Sequence, residues 1–170
     1  MKKIWTIGHS TRSLDEFIEM LKIFKIDLLA DVRSFPGSKR FPQFNKEDLS
    51  FSLKKENIDY VHLKELGGRR KPSTQSKNIG WHNKSFQAYA DFTETEEFKD
   101  GIKKLLSFAG ETNTAIMCAE ALWWKCHRSI ISDYLKAKGW CVIHIIGKEK
   151  EEEHPYTKPA KVVQGNLFYD

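Results

Sequence analysis

The sequence predicts an open α/β fold: a mainly parallel sheet of about five strands with helices on both faces. Three observations predict it. Short apolar runs alternate with helical patterns along the chain, and those runs are continuously apolar, without the polar alternation of a half-exposed strand. Five such runs also fall short of the eight that close a parallel barrel.

The elements follow in order. Lys3 to Ile7 is short, apolar and β-branched and stops at Gly8, the pattern of a buried strand. Ser13 and Glu16 form a capping box ahead of Leu14, Phe17, Ile18 and Leu21, which predicts an amphipathic helix to about Phe24. Asp27 to Val32 is a second strand, followed by a basic loop that begins Phe35-Pro36-Gly37-Ser38 and runs through Phe44. Asn45 caps a further helix carrying Leu49 and Leu53 on one face. Ile58 to Leu63 is the third strand, and a glycine-containing basic loop extends from Glu65 to about Asn83. Residues 84–92 and 94–109 read as two helices, Thr114 to Cys118 as the fourth strand, and Cys126 to Lys138 as a helix closed by Gly139. Trp140 to Ile146 is the fifth strand. Residues 1–147 are thus expected to form a single α/β domain. Residues 148–170 are expected to supply a charged linker to about residue 161, a short edge strand at Val162-Val163 and a C-terminal segment packing on the same domain.

Composition narrows the class. The 170 residues are 40% hydrophobic and 30% charged, enough for a core and a solvated surface, which excludes a wholly disordered chain. No apolar run approaches eighteen residues and mean hydropathy is −0.54, so no spanning helix and no membrane partner are expected. The start reaches Gly8, His9 and Ser10 before a signal-peptide core can form, and a cytosolic location is expected. Three cysteines, Cys118, Cys126 and Cys141, are too few for a disulfide framework and are expected to be free thiols. The net charge of +5 is uneven. Residues 33–46 hold Arg33, Lys39, Arg40 and Lys46 with no acid, and residues 64–84 hold six cations against Glu65 alone.

In such a sheet ligands bind beyond the carboxyl ends of the strands. Those positions are Gly8-His9-Ser10, Asp31 with Arg33, Lys64-Glu65, and Cys118-Ala119-Glu120. The densest cluster is Cys118-Ala119-Glu120 followed by Cys126-His127-Arg128. If Cys126 opens a helix, the first-turn amides with Arg128 and His127 make an anion site, and a thiol there is acidified. Glu120 beside Arg128 would stay ionised as ligand anchor or general base; an ordinary salt bridge is the alternative. Asp31 and Arg33 either pair with each other or grip a phosphate or carboxylate through Arg33. Gly67-Gly68-Arg69-Arg70-Lys71 joins flexible backbone to three cations, the make-up of either a phosphate-wrapping loop or a solvated mobile one. Trp81, Phe86, Tyr89, Phe92, Trp123 and Trp124 are either stacking surfaces for bases or core. His144, inside an apolar strand, reads as a satisfied core histidine.

The spacing of Cys118, Cys126 and His127 matches no standard structural zinc pattern, so no metal is expected. Neither G-x-G-x-x-G nor G-x-x-x-x-G-K-[ST] occurs, and no cofactor is expected. No C-x-x-C occurs, which argues against a thiol redox pair.

Together these motifs resemble the domain-of-unknown-function 488 family. Thr6 to Ser10, Asp31-Val32-Arg33 with Pro36 and Ser38, Glu65 to Arg69, Phe86 with Tyr89-Ala90, and Cys118-Ala119-Glu120 with Cys126-His127-Arg128 carry the resemblance, in the family's order across residues 6–147. Trp123-Trp124 departs from the more polar link of that family. The resemblance implies a small cytosolic α/β protein with a motif-lined site, and no particular reaction.

The residues themselves point to an enzyme of hydrolase or group-transferase type acting on an anionic, phosphate-bearing substrate such as a nucleotide or nucleic acid. Glu120, Asp31, Cys118 and His9 are the candidate catalytic residues. Ser10, Arg33, Glu65, Arg69, Cys126, His127 and Arg128 are the candidate substrate-binding residues. A non-catalytic nucleic-acid-binding module and a small-ligand sensor are the alternatives.

Overall fold

The computed structural model describes residues 2–170. Its elements are β1 (Lys3–Gly8), α1 (Leu14–Ile23), β2 (Leu28–Asp31), α2 (Lys46–Lys54), β3 (Asp59–His62), α3 (Lys84–Phe92), α4 (Glu96–Ala109), β4 (Thr114–Cys118), α5 (Arg128–Ala137), β5 (Cys141–Gly147), β6 (Lys150–Glu153), β7 (Lys161–Val163) and β8 (Asn166–Phe168). The first six strands form one sheet in the order β3-β2-β4-β1-β5-β6. Five of them run parallel, and β6 returns antiparallel along β5. The α/β class and the parallel sheet are as the sequence predicts.

Alternate side chains of each strand serve opposite faces of the sheet. Ile7, Leu29, Ala115, Met117 and Ile145 meet Phe17, Met20 and Leu21 of α1, Phe44, and Leu49 and Leu53 of α2. Ile4, Leu28, Ala30, Ile116 and Val142 meet Tyr89 and Phe92 of α3, Phe98, Ile102 and Leu105 of α4, and Ile130, Ile131 and Leu135 of α5. Both faces are therefore dry, which is why these strands carry no polar alternation. At the start of α1 the Ser13 hydroxyl accepts from the Glu16 amide at 3.1 Å. The reciprocal half of the box is replaced by an ion pair, the Glu16 carboxylate lying 3.8 Å from Arg12 Nε. Asn45 precedes α2, but its side-chain oxygen accepts from the Ser38 amide at 2.6 Å and so braces the basic loop instead of the helix.

The C-terminal part differs from a plain linker. Residues 150–153 pair with β5, and Val162-Val163 belong to a separate two-stranded hairpin with β8 instead of the main sheet edge. All four β6 residues are exposed, and backbone pairing with β5 makes this strand, with the Glu152 carboxylate also accepting from Trp123 Nε1 at 3.3 Å.

Because β4 lies between β1 and β2, the segments that follow these three strands converge on one end of the sheet. Cys118 at the tip of β4 is flanked by Gly8 of β1 and by Asp31 and Val32 of β2.

Candidate active site

Gly8 lets the rim assemble: a Cβ there would lie 1.7 Å from the Glu120 carbonyl oxygen, so the 119–121 turn can cross the end of β1 only above a glycine. Backbone bonds from the His9 amide to the Cys118 carbonyl and from the Ser10 amide to the Ala119 carbonyl fix that crossing. Gly68 serves the same purpose opposite, where a Cβ would fall 2.6 Å from His127 Nδ1.

Between these walls is a cavity of about 250 Å³ that Arg33, Arg69, Cys118, Glu120, Cys126 and His127 help to line. A neighbouring depression adds His9 and Ser10 and shares Arg33 and Glu120. Eight of the sequence-predicted residues thus meet on one rim. Glu65 lies apart, its carboxylate on Lys104 at 2.5 Å. Asp31 and Arg128 lie behind the rim, buried.

The two buried residues have different surroundings. Asp31 accepts from the Arg33 amide and Nε at 3.0 Å each, from Arg33 Nη2 at 2.8 Å and from the Tyr60 hydroxyl, so both of its oxygens are filled. Burial first, then the Asp31 charge, holds the Tyr60 hydroxyl protonated far above its ordinary range. Arg33 also donates to the Phe44 carbonyl at 2.7 Å, and its Nη1 faces His9 Nε2 at 3.3 Å. His9 stacks on Phe44 at 4.4 Å and donates from Nδ1 to the Ser10 carbonyl, which leaves Nε2 as the acceptor for Arg33. Burial lowers its pKa, with the Arg33 charge acting in the same direction, so the ring at this rim is neutral.

Arg128, 1% exposed, has no carboxylate partner among the described residues. The Glu120 carboxylate, expected beside it, makes no ion pair with it; the Glu120 backbone carbonyl accepts from Arg128 Nη2 at 2.6 Å instead. The remaining donors reach Cys126 Sγ from Nε at 3.2 Å and Thr6 Oγ1 from Nη1 at 3.3 Å. The Arg128 amide, the first of α5, also donates to Cys126 Sγ at 3.4 Å. Helix α5 begins two residues later than expected, and Cys126 stays extended ahead of it. The anion held at the start of the helix is therefore the cysteine's own sulfur.

The second sulfur completes the cluster. Cys118 Sγ lies 2.8 Å from Cys126 Sγ, a contact the sequence spacing does not announce, with the short helical turn Trp123–Lys125 in the intervening loop. Burial raises both thiols. For Cys126 the Cys118 S–H bond and the Arg128 and His127 environments outweigh it and hold the pKa at about 5, whereas the Cys118 thiol is pushed well up by burial and by its neighbour. The shifts run in opposite directions, which makes Cys126 the more acidic sulfur of the pair and Cys118 the one that favours its proton. His127 donates from Nε2 to the Val32 carbonyl at 2.9 Å, and its burial lowers its pKa.

Behind Thr6 a polar chain crosses the core. Arg128 can only donate, so the Thr6 hydroxyl accepts from it and gives its own proton to His144 Nδ1 at 2.6 Å. His144 Nε2 then donates to His154 Nδ1 at 2.8 Å, and His154 Nε2 to Asp133 at 2.7 Å. Asp133 also accepts from the amide and hydroxyl of Thr157 and from the Tyr169 hydroxyl. His144 is buried with both nitrogens bonded, as its strand context predicts.

Two other features had alternative readings. Arg70 is tied to the Gly67 and Glu65 carbonyls and to Glu97 and sits 3.5 Å from the Phe92 ring, so it braces the loop. Trp81, Phe86, Tyr89, Phe92 and Trp123 pack in or against the core, leaving only Trp124 of that set exposed. The exposed aromatic at the cavity is one the sequence gave no reason to single out, Phe35, with the Arg69 guanidinium 5.0 Å over its ring.

The pattern of the family described as domain of unknown function DUF488 matches residues 13–135. The chain belongs to this family. The DUF488 match takes in Asp31, Arg33, Glu65, Arg69 and the whole Cys118-to-Arg128 cluster, and it begins after His9 and Ser10. No curated protein and no solved structure matches the chain.

Proposed function

We propose that this protein is a thiol-dependent enzyme that cleaves or transfers a group from an anionic, phosphate-bearing substrate. One observation carries the reading: the buried Arg128 donates to Cys126 Sγ, with no carboxylate among the described residues to neutralise it. A buried guanidinium left unpaired is strongly destabilising, and the anion within its reach is the thiolate on the cavity wall.

Arg69, free of ion pairs among the described residues, and the Nη1 edge of Arg33 receive the substrate's negative charge at the cavity mouth. Asp31 acts as a positioning residue that holds Arg33 in place, and His9 fixes its outer edge. Cys126 Sγ attacks the electrophilic phosphorus or carbon of the bound group, forming the bond to sulfur as the bond to the leaving group breaks. The leaving group departs with the electron pair of that bond. Cys118 donates its S–H bond to the sulfur before attack, and Arg128 stabilises it. Glu120, exposed at the mouth and without an ion-pair partner among the described residues, takes the proton from the water or acceptor that then releases the group from sulfur. Ser10 and His127 shape the cavity.

The test is a panel of nucleoside phosphates and short oligonucleotides incubated with protein, scored for product and for a mass increase on Cys126. Product formation lost in Cys126→Ser supports the reading. Turnover of an identified substrate that survives Cys126→Ser contradicts it.

A further inference from the structure

The cavity at Cys126 is one segment of a longer trough. On one side it shares Ser34, Phe35 and Arg69 with a depression of about 570 Å³, which in turn shares Lys46 and His62 with another of about 510 Å³ below Phe51. On the other side it shares Arg33, Phe35 and Glu120 with a depression of about 460 Å³ that ends at Leu122 and Lys125. Four concavities joined through common walls form one path, with Cys126 near its middle. The central cavity alone, about 250 Å³, falls below the roughly 300 Å³ at which closed small-ligand sites begin, so its occupant extends along the trough.

The charge of the path is one-sided. Lys46, Lys54, Lys64, Arg69 and Lys125 line it, are exposed, and make no ion pair among the described residues. Of the carboxylates on it, Glu65 is neutralised by Lys104 and Glu97 by Arg70, leaving Glu47 and Glu120. Large aromatic side chains stand open beside these cations. Phe35 is 66% exposed where three of the concavities meet, and Phe51 is 64% exposed at the far end. An exposed aromatic ring on a basic path accepts the face of an unpaired base, which a duplex keeps hidden in its stack.

From these observations we infer that the trough binds single-stranded nucleic acid, with Phe35 stacking on a base beside Cys126 and the lysines following the phosphates. This rests on the reading of Cys126 as the reacting group and names the substrate class for it.

The experiment is fluorescence anisotropy of labelled twelve-nucleotide oligothymidine and oligouridine on the full chain at low and moderate salt. Binding by either strand is expected, weaker for a duplex of equal length and for thymidine monophosphate, with a log–log salt slope of about −2 to −3.5, the range for three to five phosphate contacts on single strands. Phe35→Ala should weaken binding about 5- to 100-fold, and Phe35→Trp should restore it. Paired Lys46→Glu and Lys64→Glu changes should weaken binding and flatten the slope. All three positions are exposed, so the fold is retained. Absence of oligonucleotide binding at low salt, equal affinity for duplex, or an unchanged affinity in Phe35→Ala overturns the inference. Cys126→Ser keeps oligonucleotide binding if the trough reading holds, and the thiol reading is scored separately by Cys126 alkylation, so either can fail alone.

Discussion

Two guanidiniums lie on opposite faces of the same sheet, Arg128 buried and Arg33 partly exposed at the cavity, and they are neutralised in different ways. Arg33 lies toward α1 and α2, where Asp31 continues the register of Leu29; it meets a full carboxylate through two donors and a backbone amide. Arg128 lies toward the α3–α5 side, where Thr6 and Cys118 continue the register of Ile4 and Ile116, and its anion is a sulfur. The buried carboxylate on that side, Asp133, is reached from Arg128 through Thr6, His144 and His154. The first cluster is closed: every oxygen of Asp31 is occupied. The second is open, because Cys126 faces the cavity while holding the charge. A buried arginine beside a carboxylate stabilises structure; a buried arginine whose counter-ion is a cavity-lining thiolate keeps a nucleophile ionised.

The largest effect expected from breaking this contrast is Asp31→Asn. Arg33 cannot discard its proton, so removing the buried anion leaves a mostly enclosed charge unpaired and should lower stability by about 3–5 kcal/mol in denaturant unfolding. A loss below about 1 kcal/mol would show that Arg33 is not held by this pair. Cys126→Ser should cost nearly as much, about 3–4 kcal/mol, since the serine hydroxyl still accepts from Arg128 but leaves that buried charge without an anion. Cys118→Ala should cost less again, which a side-by-side denaturant series measures.

The sulfur cluster also predicts a pH dependence. The folded-state pKa of Cys126 is depressed, so the stability from its thiolate is present above the unfolded value of about 8.5 and is lost as pH falls toward about 5. The stability gap between wild type and Cys126→Ser should therefore narrow steadily from pH 9 to pH 5. A gap independent of pH would mean that Cys126 folds as a neutral thiol. The smallest effect is Tyr60→Phe, which removes one of the bonds to Asp31 at a half-buried position and should cost about 1 kcal/mol by thermal unfolding.

Much of the fold was legible because both faces of the sheet are dry: Leu28 to Ala30 and Thr114 to Cys118 read as strands from their apolar continuity alone. Strand β6 was hidden because Lys150 to Glu153 are exposed edge residues held by backbone pairing, and their side chains read as a solvated run. The positions of the site residues followed from the rule that ligands lie beyond strand ends, and the Asp31–Arg33 pair was among the readings their spacing allowed. The sulfur contact was not legible, because Cys118 and Cys126 are eight positions apart and the turn at Trp123 decides whether they meet. Nor was the route from Arg128 to Asp133, which joins residues more than a hundred positions apart. Phe35 was missed for a different reason: nothing local marks an aromatic residue that the tertiary fold leaves exposed.

The central claim, that Arg128 and Cys118 keep Cys126 ionised at the cavity wall, is tested most directly by the pH profile of Cys126 alkylation with iodoacetamide, followed by mass spectrometry. Wild type should show a midpoint near 5, and Arg128→Met and Cys118→Ala should each move it upward. A wild-type midpoint at the ordinary thiol value of about 8.5, unmoved in both variants, would contradict it.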